Sequence, residues 1–481
     1  MRIIGNDPSV PRQTQEVASG TLPNGKPVIV NADGTVSVVG IGAASIGSAV
    51  IFENATTSYN STAYDTTNDK IVISYRDSDN SNYFTAVVGT VSGTSISFGT
   101  PVVVASSYHS YQSIVFDSNA GKMVLASVDS GSSSHGKAVV GTVSGTSISF
   151  GSMATFHSGS VSSIGSAYDS TNNKTIIAFV DASASNHGKA IVGTVSGTSI
   201  SFGSAATFNS GTTTVSMRSV VHDSSTGKTV IAYRDTGNSN QGTAVVGTVS
   251  STSISFGSES IFETTATQDI NGVYDSGNSK VNFFYMDGGD SDKGKAVIGT
   301  VSGTSISFTT PEVFYDAAIN ALSAVYDSNA ASNVIGIRGA SAYGYAIPIT
   351  SDGSSFTVGS STTITTNAYG TLASSAFDPD QKKVVFAYQD GDDSSKGKAQ
   401  VYNTPATTLT SENYIGIARS GAASGAGAII DTQGAIADNL SGLTAGQSYY
   451  VQNDGTLGTT AASPSVFAGT AVSATKLIVK G

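Results

Sequence analysis

The chain has no cysteine and no tryptophan. The first absence removes disulfides, thiolate nucleophiles and cysteine-ligated zinc, leaving packing and hydrogen bonds to hold the fold. Charge is scarce too, 12% of 481 residues against roughly 25% in a typical globular chain. Lys and Arg number 23 against 34 Asp and Glu, for a net charge of -11, and no long basic run is present. Nucleic acid is therefore not an expected partner. No apolar stretch reaches the length of a bilayer span, and Met1 to Val10 (MRIIGNDPSV) lacks an apolar segment followed by a small-residue cleavage site. Neither membrane insertion nor a secretory signal is expected. What the chain has is 54 glycines, 20 Tyr and 19 Phe, enough aromatic bulk to fill a core and to argue against disorder.

The dominant signal is an internal repeat. An aromatic or apolar residue followed by Asp recurs at Asp65, Asp117, Asp169, Asp223, Asp275, Asp327 and Asp378, at intervals of 52, 52, 54, 52, 52 and 51. Gly-Thr-Val-Ser recurs in register from Gly89, Gly141, Gly193, Gly247 and Gly299. Each copy carries four strand signals. In the third these are Ser163 to Tyr168, Lys174 to Val180, Lys189 to Val195 and Thr198 to Phe202. The second is continuously apolar, as for a strand covered on both faces, and the fourth alternates, as for an outer strand with one wet face. Four antiparallel strands per unit of about 50 residues predict an all-β, seven-bladed β-propeller.

Gly25 to Val39 aligns without gaps to the third and fourth strands of a copy, and the seventh copy lacks its Thr-Ser-Ile-Ser-Phe strand. The expected arrangement is a short extension (1–24), then a propeller (25–408). Its N-terminal strands (25–52) complete the last blade, with one strand or two, and remove its free edge. Residues 409–481 read as a small C-terminal β module, with a hairpin turn at Asn453-Asp454-Gly455. Rich in Gly and Ala, it can bury little surface alone, so docking or a homo-oligomer through 411–481 is expected.

Two stretches carry a resemblance: Leu22 to Val36 (LPNGKPVIVNADGTV) and Gly442 to Gly455 (GLTAGQSYYVQNDG), the latter followed by Val466 to Gly481. Both resemble modules of tailed-phage virion proteins, especially marine cyanophage tail-fibre and decoration proteins, and the 52-residue repeats look like those of marine-virus proteins. The resemblance implies a non-catalytic virion structural or host-attachment role, on a tail fibre or the capsid surface. Other virion proteins and a host surface glycan or protein would be its partners. It brings no catalytic residue and no cofactor.

Several constellations have a chemical and a plainer reading. Carboxylates recur at the end of the second strand, at Asp77, Asp129, Asp181, Asp235, Asp287 and Asp390. They read as hairpin caps accepting backbone N–H bonds or, with loops such as Asp77 to Asn82, as calcium ligands, though no EF-hand spacing occurs. Arginine follows the repeat Asp by eleven residues at Arg76, Arg234 and Arg338. These could clamp a carboxylate as in a propeller sialidase or glycosidase, the enzyme alternative, or pair with neighbouring carboxylates. The Ser-x-Asp-x-Gly-x-x-Trp box of sialidases is absent.

The third-to-fourth turn scarcely varies among copies, whereas the connections between copies vary most. Those variable segments are expected as loops on the recognition face, with Tyr108, His109, Tyr111, Asn209, Thr267 and Tyr369 as binding residues.

Overall fold

The computed structural model describes residues 12–40, 42–370, 373–406 and 408–480, and none of these is in an α-helix. The chain forms two compact units, Ala44–Thr404 and the pair Met1–Ala43 with Pro405–Gly481.

Within Ala44–Thr404 each repeat copy is an antiparallel meander. In the first copy Val50–Asp65 turns into Lys70–Asp77, which pairs with Tyr83–Ser92, which turns into Ser95–Phe98. The repeat Asp is explained by the first turn. Asp65 Oδ1 accepts the N–H groups of Thr67 (2.9 Å) and Asn68 (3.1 Å), a local cap repeated at Asp169 and Asp275. Second strands are buried on both faces, as their apolar runs predict, and fourth strands alternate, with Ile96 buried between two exposed serines.

Four of the six connections between copies are single strands and not loops. Val102–Asp117 is one 16-residue strand whose first part pairs with Tyr83–Ser92 and whose second part pairs with Lys122–Asp129 of the next copy. Where it changes partner, two residues oppose one, a bulge that recurs at Tyr59, Tyr111 and Asp269 with φ of 55, 48 and 47°. Backbone pairing, invisible in a Ser- and Tyr-rich sequence, turns these segments into strands.

Neighbouring copies are tied through these inner strands. Ile114 N donates to Ser61 Oγ (3.3 Å), Leu322 N to Asp269 Oδ2 (2.8 Å) and Thr62 N to Ser374 Oγ (2.9 Å). The sixth and seventh copies share a cluster of Val334, Ile364, Phe386 and Tyr402. The 54-residue interval has a structural consequence, because its two extra residues break the long strand into Ala206–Asn209, Thr213–Thr214 and Val220–Asp223. The intervening turn reaches four other copies. Ser113 Oγ donates to Met217 O (3.2 Å), Gly272 N to Arg218 O (2.8 Å), Arg218 Nη2 to Asn60 O (2.9 Å) and Arg218 Nε to Ser374 Oγ (3.3 Å).

The last copy's third strand, Lys396–Asn403, pairs with Ser45–Ile46 and with the start of Val50–Asp65. Only the stretch from Ser45 onward does so. The gapless alignment of Gly25 to Val39 misleads: Pro27–Val30 and Val36–Val38 form a hairpin paired with Tyr414–Ala418, and Gln13–Val17, expected in an extension, pairs with Gly427–Asp431. A hairpin with Asn-Ala-Asp-Gly at its turn resembles any other two-strand signal, so the alignment carried no information about partners.

The second unit is therefore built from both ends of the chain, and it contains one fold twice. The sheet ordered Gln13–Val17, Gly427–Asp431, Tyr414–Ala418, Pro27–Val30 and Val36–Val38 has the same order as Ile436–Ala437, Lys476–Val479, Phe467–Ser473, Ser448–Val451 and Leu457–Gly458. Hydrogen bonds repeat in detail. Thr35 N and Oγ1 donate to Asp33 Oδ1 (3.0 and 2.7 Å) as Thr456 N and Oγ1 donate to Asp454 Oδ1 (2.9 and 2.7 Å). Gly25 N donates to Ala418 O (2.9 Å) as Gly446 N donates to Ala471 O (2.8 Å). The two sheets share a core in which Ile29 and Tyr414 meet Val451 and Ala468, and Ile417 meets Tyr449 and Leu477. The repeat unit is thus inserted into the first of two tandem modules, at the place where the second has only residues 459–466.

Candidate functional site

One cluster of the expected residues assembles at the surface. Arg76, near the end of Lys70–Asp77, lies between two tyrosine rings, its Cζ 5.1 Å from the centroid of Tyr59 and 5.1 Å from that of Tyr108. Its Nη1 donates to Tyr108 Oη (2.8 Å), and Tyr111 tilts against Tyr59 with centroids 5.3 Å apart. The bulges place the tyrosines, because Tyr59 and Tyr111 occupy the same position of successive inner strands and the positive φ turns each side chain out of the ladder. Tyr108 and Tyr111 are 36% and 37% exposed. Burial raises the Tyr59 hydroxyl above its ordinary value, as do its tyrosine neighbours, while Arg76 opposes them. The patch thus offers flat aromatic faces, neutral hydroxyls and one guanidinium.

Tyr59 was not among the expected residues. The signal for it exists in the repeat, since Tyr59 precedes Asp65 by the six residues that separate Tyr111 from Asp117.

The other expected binding residues are corrected by burial. His109 is enclosed, stacked on Phe84 at 5.3 Å and bonded to Ser127 Oγ (2.8 Å). Asn209, Thr267 and Tyr369 are buried as well, Asn209 capping Gly211 and Tyr369 packed on Tyr388 at 4.9 Å. His109, Asn209 and Thr267 lie in strand segments, where alternate side chains turn inward, while Tyr369 lies outside the strands and makes a single bridge to Asp390.

The three arginines are not gathered into a clamp. They belong to the first, fourth and sixth copies, and among the described residues no hydrogen bond or ring contact joins any two. Arg234 Nε donates to Asn240 Oδ1 (2.8 Å), and Arg338 Nε is buried without a hydrogen-bond partner. None of the three is in an ion pair among the described residues.

Four of the six recurrent carboxylates, Asp77, Asp181, Asp287 and Asp390, cap their hairpins. Asp77 Oδ1 accepts from Asn80 N (3.2 Å), Asp181 Oδ1 from Ser183 N (3.1 Å) and Asp287 Oδ1 from Gly289 N (2.8 Å). Burial raises the Asp181 carboxyl, but bonds from Lys189 and Ser183, with His157 alongside, more than offset it and hold the group below the usual carboxylate range. Among the described residues no cluster of three or more His, Asp or Glu is placed to hold a metal. In the other unit a shallow groove is lined by Arg12, Gln13, Arg419, Asp431, Ala435 and Ile436, with Arg419 committed to Asp431 at 3.1 Å.

No protein-family model and no curated protein matches the chain. Among solved structures it is similar to the BP39L lectin from Burkholderia pseudomallei, with a TM-score of 0.56 at 9% identity over 74% of this chain and 100% of that one. A protein of unknown function from Dyadobacter fermentans has a TM-score of 0.46 at 11% identity, over 75% of this chain and 99% of that one. AofleA from Arthrobotrys oligospora has 0.41 at 8%, over 71% and 97%. The fold is all-β and propeller-like. At such identities the likeness speaks for architecture and not for residues.

Proposed function

We propose that the chain is a non-catalytic carbohydrate-binding protein of a phage virion, part of a tail fibre or head decoration, in which a seven-bladed propeller recognises a host surface glycan. Support for seven blades comes from the repeat spacing, from the bonds between inner strands that lead from the seventh copy back to the first, and from Ser45–Ile46 lying on the third strand of the seventh. The likeness to a lectin supports carbohydrate as the ligand class. The virion role rests on the resemblance of Leu22 to Val36 and Gly442 to Gly455 to phage modules. In this reading the paired modules, with Val17, Ile429, Ile436 and Val472 exposed, fasten the propeller to other virion proteins or to copies of the same chain. The reading is non-catalytic because no contact gathers the three arginines and, among the described residues, Arg76 is in no ion pair with a carboxylate that could act as acid or base.

The observation that carries it is the exposed aromatic patch around Arg76. The double variant Tyr108→Ala/Tyr111→Ala should lose adsorption to host cells and binding on a glycan array. Stability should fall by no more than about 1 kcal/mol, since the cation–π contact, hydrogen bond and ring pair removed belong to half-exposed side chains. Undiminished binding by a folded double variant would place the receptor site elsewhere. Mass spectrometry of purified virions, with labelling in electron micrographs, tests the virion assignment separately.

A further inference from the structure

The repeat has a standard way of spending its positive charge. A lysine near the start of the third strand reaches the carboxylate that ends the second, as in Lys189 to Asp181 (2.7 Å), Lys295 to Asp287 (2.5 Å) and Lys398 to Asp390 (2.8 Å). In the three copies that carry arginine, the lysine position, paired with the second strand in the same register, holds Thr85, Thr243 and Tyr345 instead. Arginine is thus present where the lysine is missing; in the second copy, which has neither arginine nor the pair, Lys137 donates to Thr155 Oγ1 instead. The arginine does not replace that pair, because Arg76 precedes Asp77 by one residue and so projects from the opposite face of the strand.

Arg76 differs from the other two in its surroundings. Two tyrosine faces hold its plane, and Nη1 is bonded to Tyr108. Its charge has no counterion among the described residues, in a chain whose net charge is -11. A guanidinium held flat and left without a carboxylate is preorganised for an external one, since its fork matches carboxylate or sulfate oxygens. Aromatic rings on both sides present apolar faces to a pyranose ring and shield the ion pair from water. We propose that the cluster of Tyr59, Arg76, Tyr108 and Tyr111 binds an acidic sugar, whose carboxylate or sulfate group meets the Nη end of the Arg76 guanidinium, Nε being buried. The proposal deepens the glycan reading above and depends on it.

The test uses the full chain and matched oligosaccharides: uronate against neutral hexose chains, sialylated against desialylated, sulfated against desulfated. At low ionic strength the acidic member of the preferred pair should bind about tenfold more tightly, as one charge-assisted bidentate contact gives. The preference should shrink as salt approaches physiological strength, where screening sets in at about 8 Å. Arg76→Gln should abolish the preference, Arg76→Lys should keep part of it, and Arg234→Gln, at the equivalent position without tyrosines, should leave it intact. The carboxylate and sulfate arms identify which anion is bound. Equal binding of acidic and neutral members, or a preference that survives Arg76→Gln, overturns the acidic-sugar proposal while leaving glycan binding in place. No binding to any member overturns the glycan reading itself. The parent chain's salt dependence decides the matter even if Arg76→Gln fails to fold.

Discussion

Asp269 lies half-buried beside Arg218, and burial pushes its carboxyl up to about 6 although that cation, a bond from Leu322 N and Asn271 all pull it down. Unfolded, the group titrates near 3.8. Its folded value is the higher, so its favourable contribution is complete below the unfolded value and is lost as pH rises through about 6. Arg218 limits that loss. Arg218→Ala should therefore destabilise the protein more at pH 8 than at pH 4, where Asp269 is protonated in either variant. The cost at pH 8 should be about 2 kcal/mol, below the roughly 3–5 of a dry buried pair because solvent reaches the edges of both groups. Paired melts at the two pH values check this, and an equal loss at both would assign the effect to the lost hydrogen bonds alone. The same scale shows what the sequence made legible of the site. Variability among copies pointed to Tyr108 and Tyr111, which are exposed, but equally to His109 and Tyr369, which are not. Variability does not report on which side of a strand a residue lies, and that depended on the bulge.

Among the elements, glycine is the residue on which neighbouring copies meet. A Cβ on Gly151, after the third copy's preceding outer strand, would overlap the backbone carbonyl of Thr198 in the next copy's turn, and Gly47, Gly99, Gly203 and Gly257 face the same obstacle at Thr94, Thr146, Thr252 and Thr304. Gly145 has a φ of +61° but nothing near a Cβ. Gly145→Ala should cost only the left-handed backbone, about 1 kcal/mol. Gly151→Ala must move a neighbouring copy and should cost at least about 3 kcal/mol. Chemical denaturation of the two single variants tests the difference, and similar losses would mean that the copies do not press on one another there. These contacts also measure how far the elements could be read. Strand type followed from the apolar run of Thr175 to Val180 and the alternation of Ser199 to Phe202, because burial alone sets those periods. The partners of Pro27–Val30 could not be read, because a hairpin is complete within itself and its next neighbour, Tyr414–Ala418, lies beyond the whole repeat region.

For the whole molecule, the duplicated module and the paired ends of the repeat unit make a division of the chain testable. Inserted units tolerate excision when their termini lie together, and Ser45 is paired with Asn403 and Ile46 with Tyr402. Residues 44–404 should fold alone with cooperative melting. Removing the first ten of these, which include Ser45–Ile46 and the segment paired with Lys396–Asn403, should leave that strand uncovered and give an aggregating fragment. The reciprocal chain, in which residues 39–413 are replaced by a copy of residues 459–466, should fold as two equal modules, because the second already joins Leu457–Gly458 to Phe467–Ser473 through that loop. A cut at residue 408 should instead fail: it leaves Gln13–Val17 and Pro27–Val30 without Gly427–Asp431 and Tyr414–Ala418 and exposes Ile29 and Val28, which are buried between them. Circular dichroism, melting and light scattering on the four chains separate the outcomes. If 1–408 were as stable and monodisperse as 44–404, the pairing between the two ends of the chain would contribute nothing to folding, and the idea of an inserted propeller would fall. If the excised double module folds and self-associates while 44–404 stays monomeric, assembly belongs to the modules and recognition to the repeat unit.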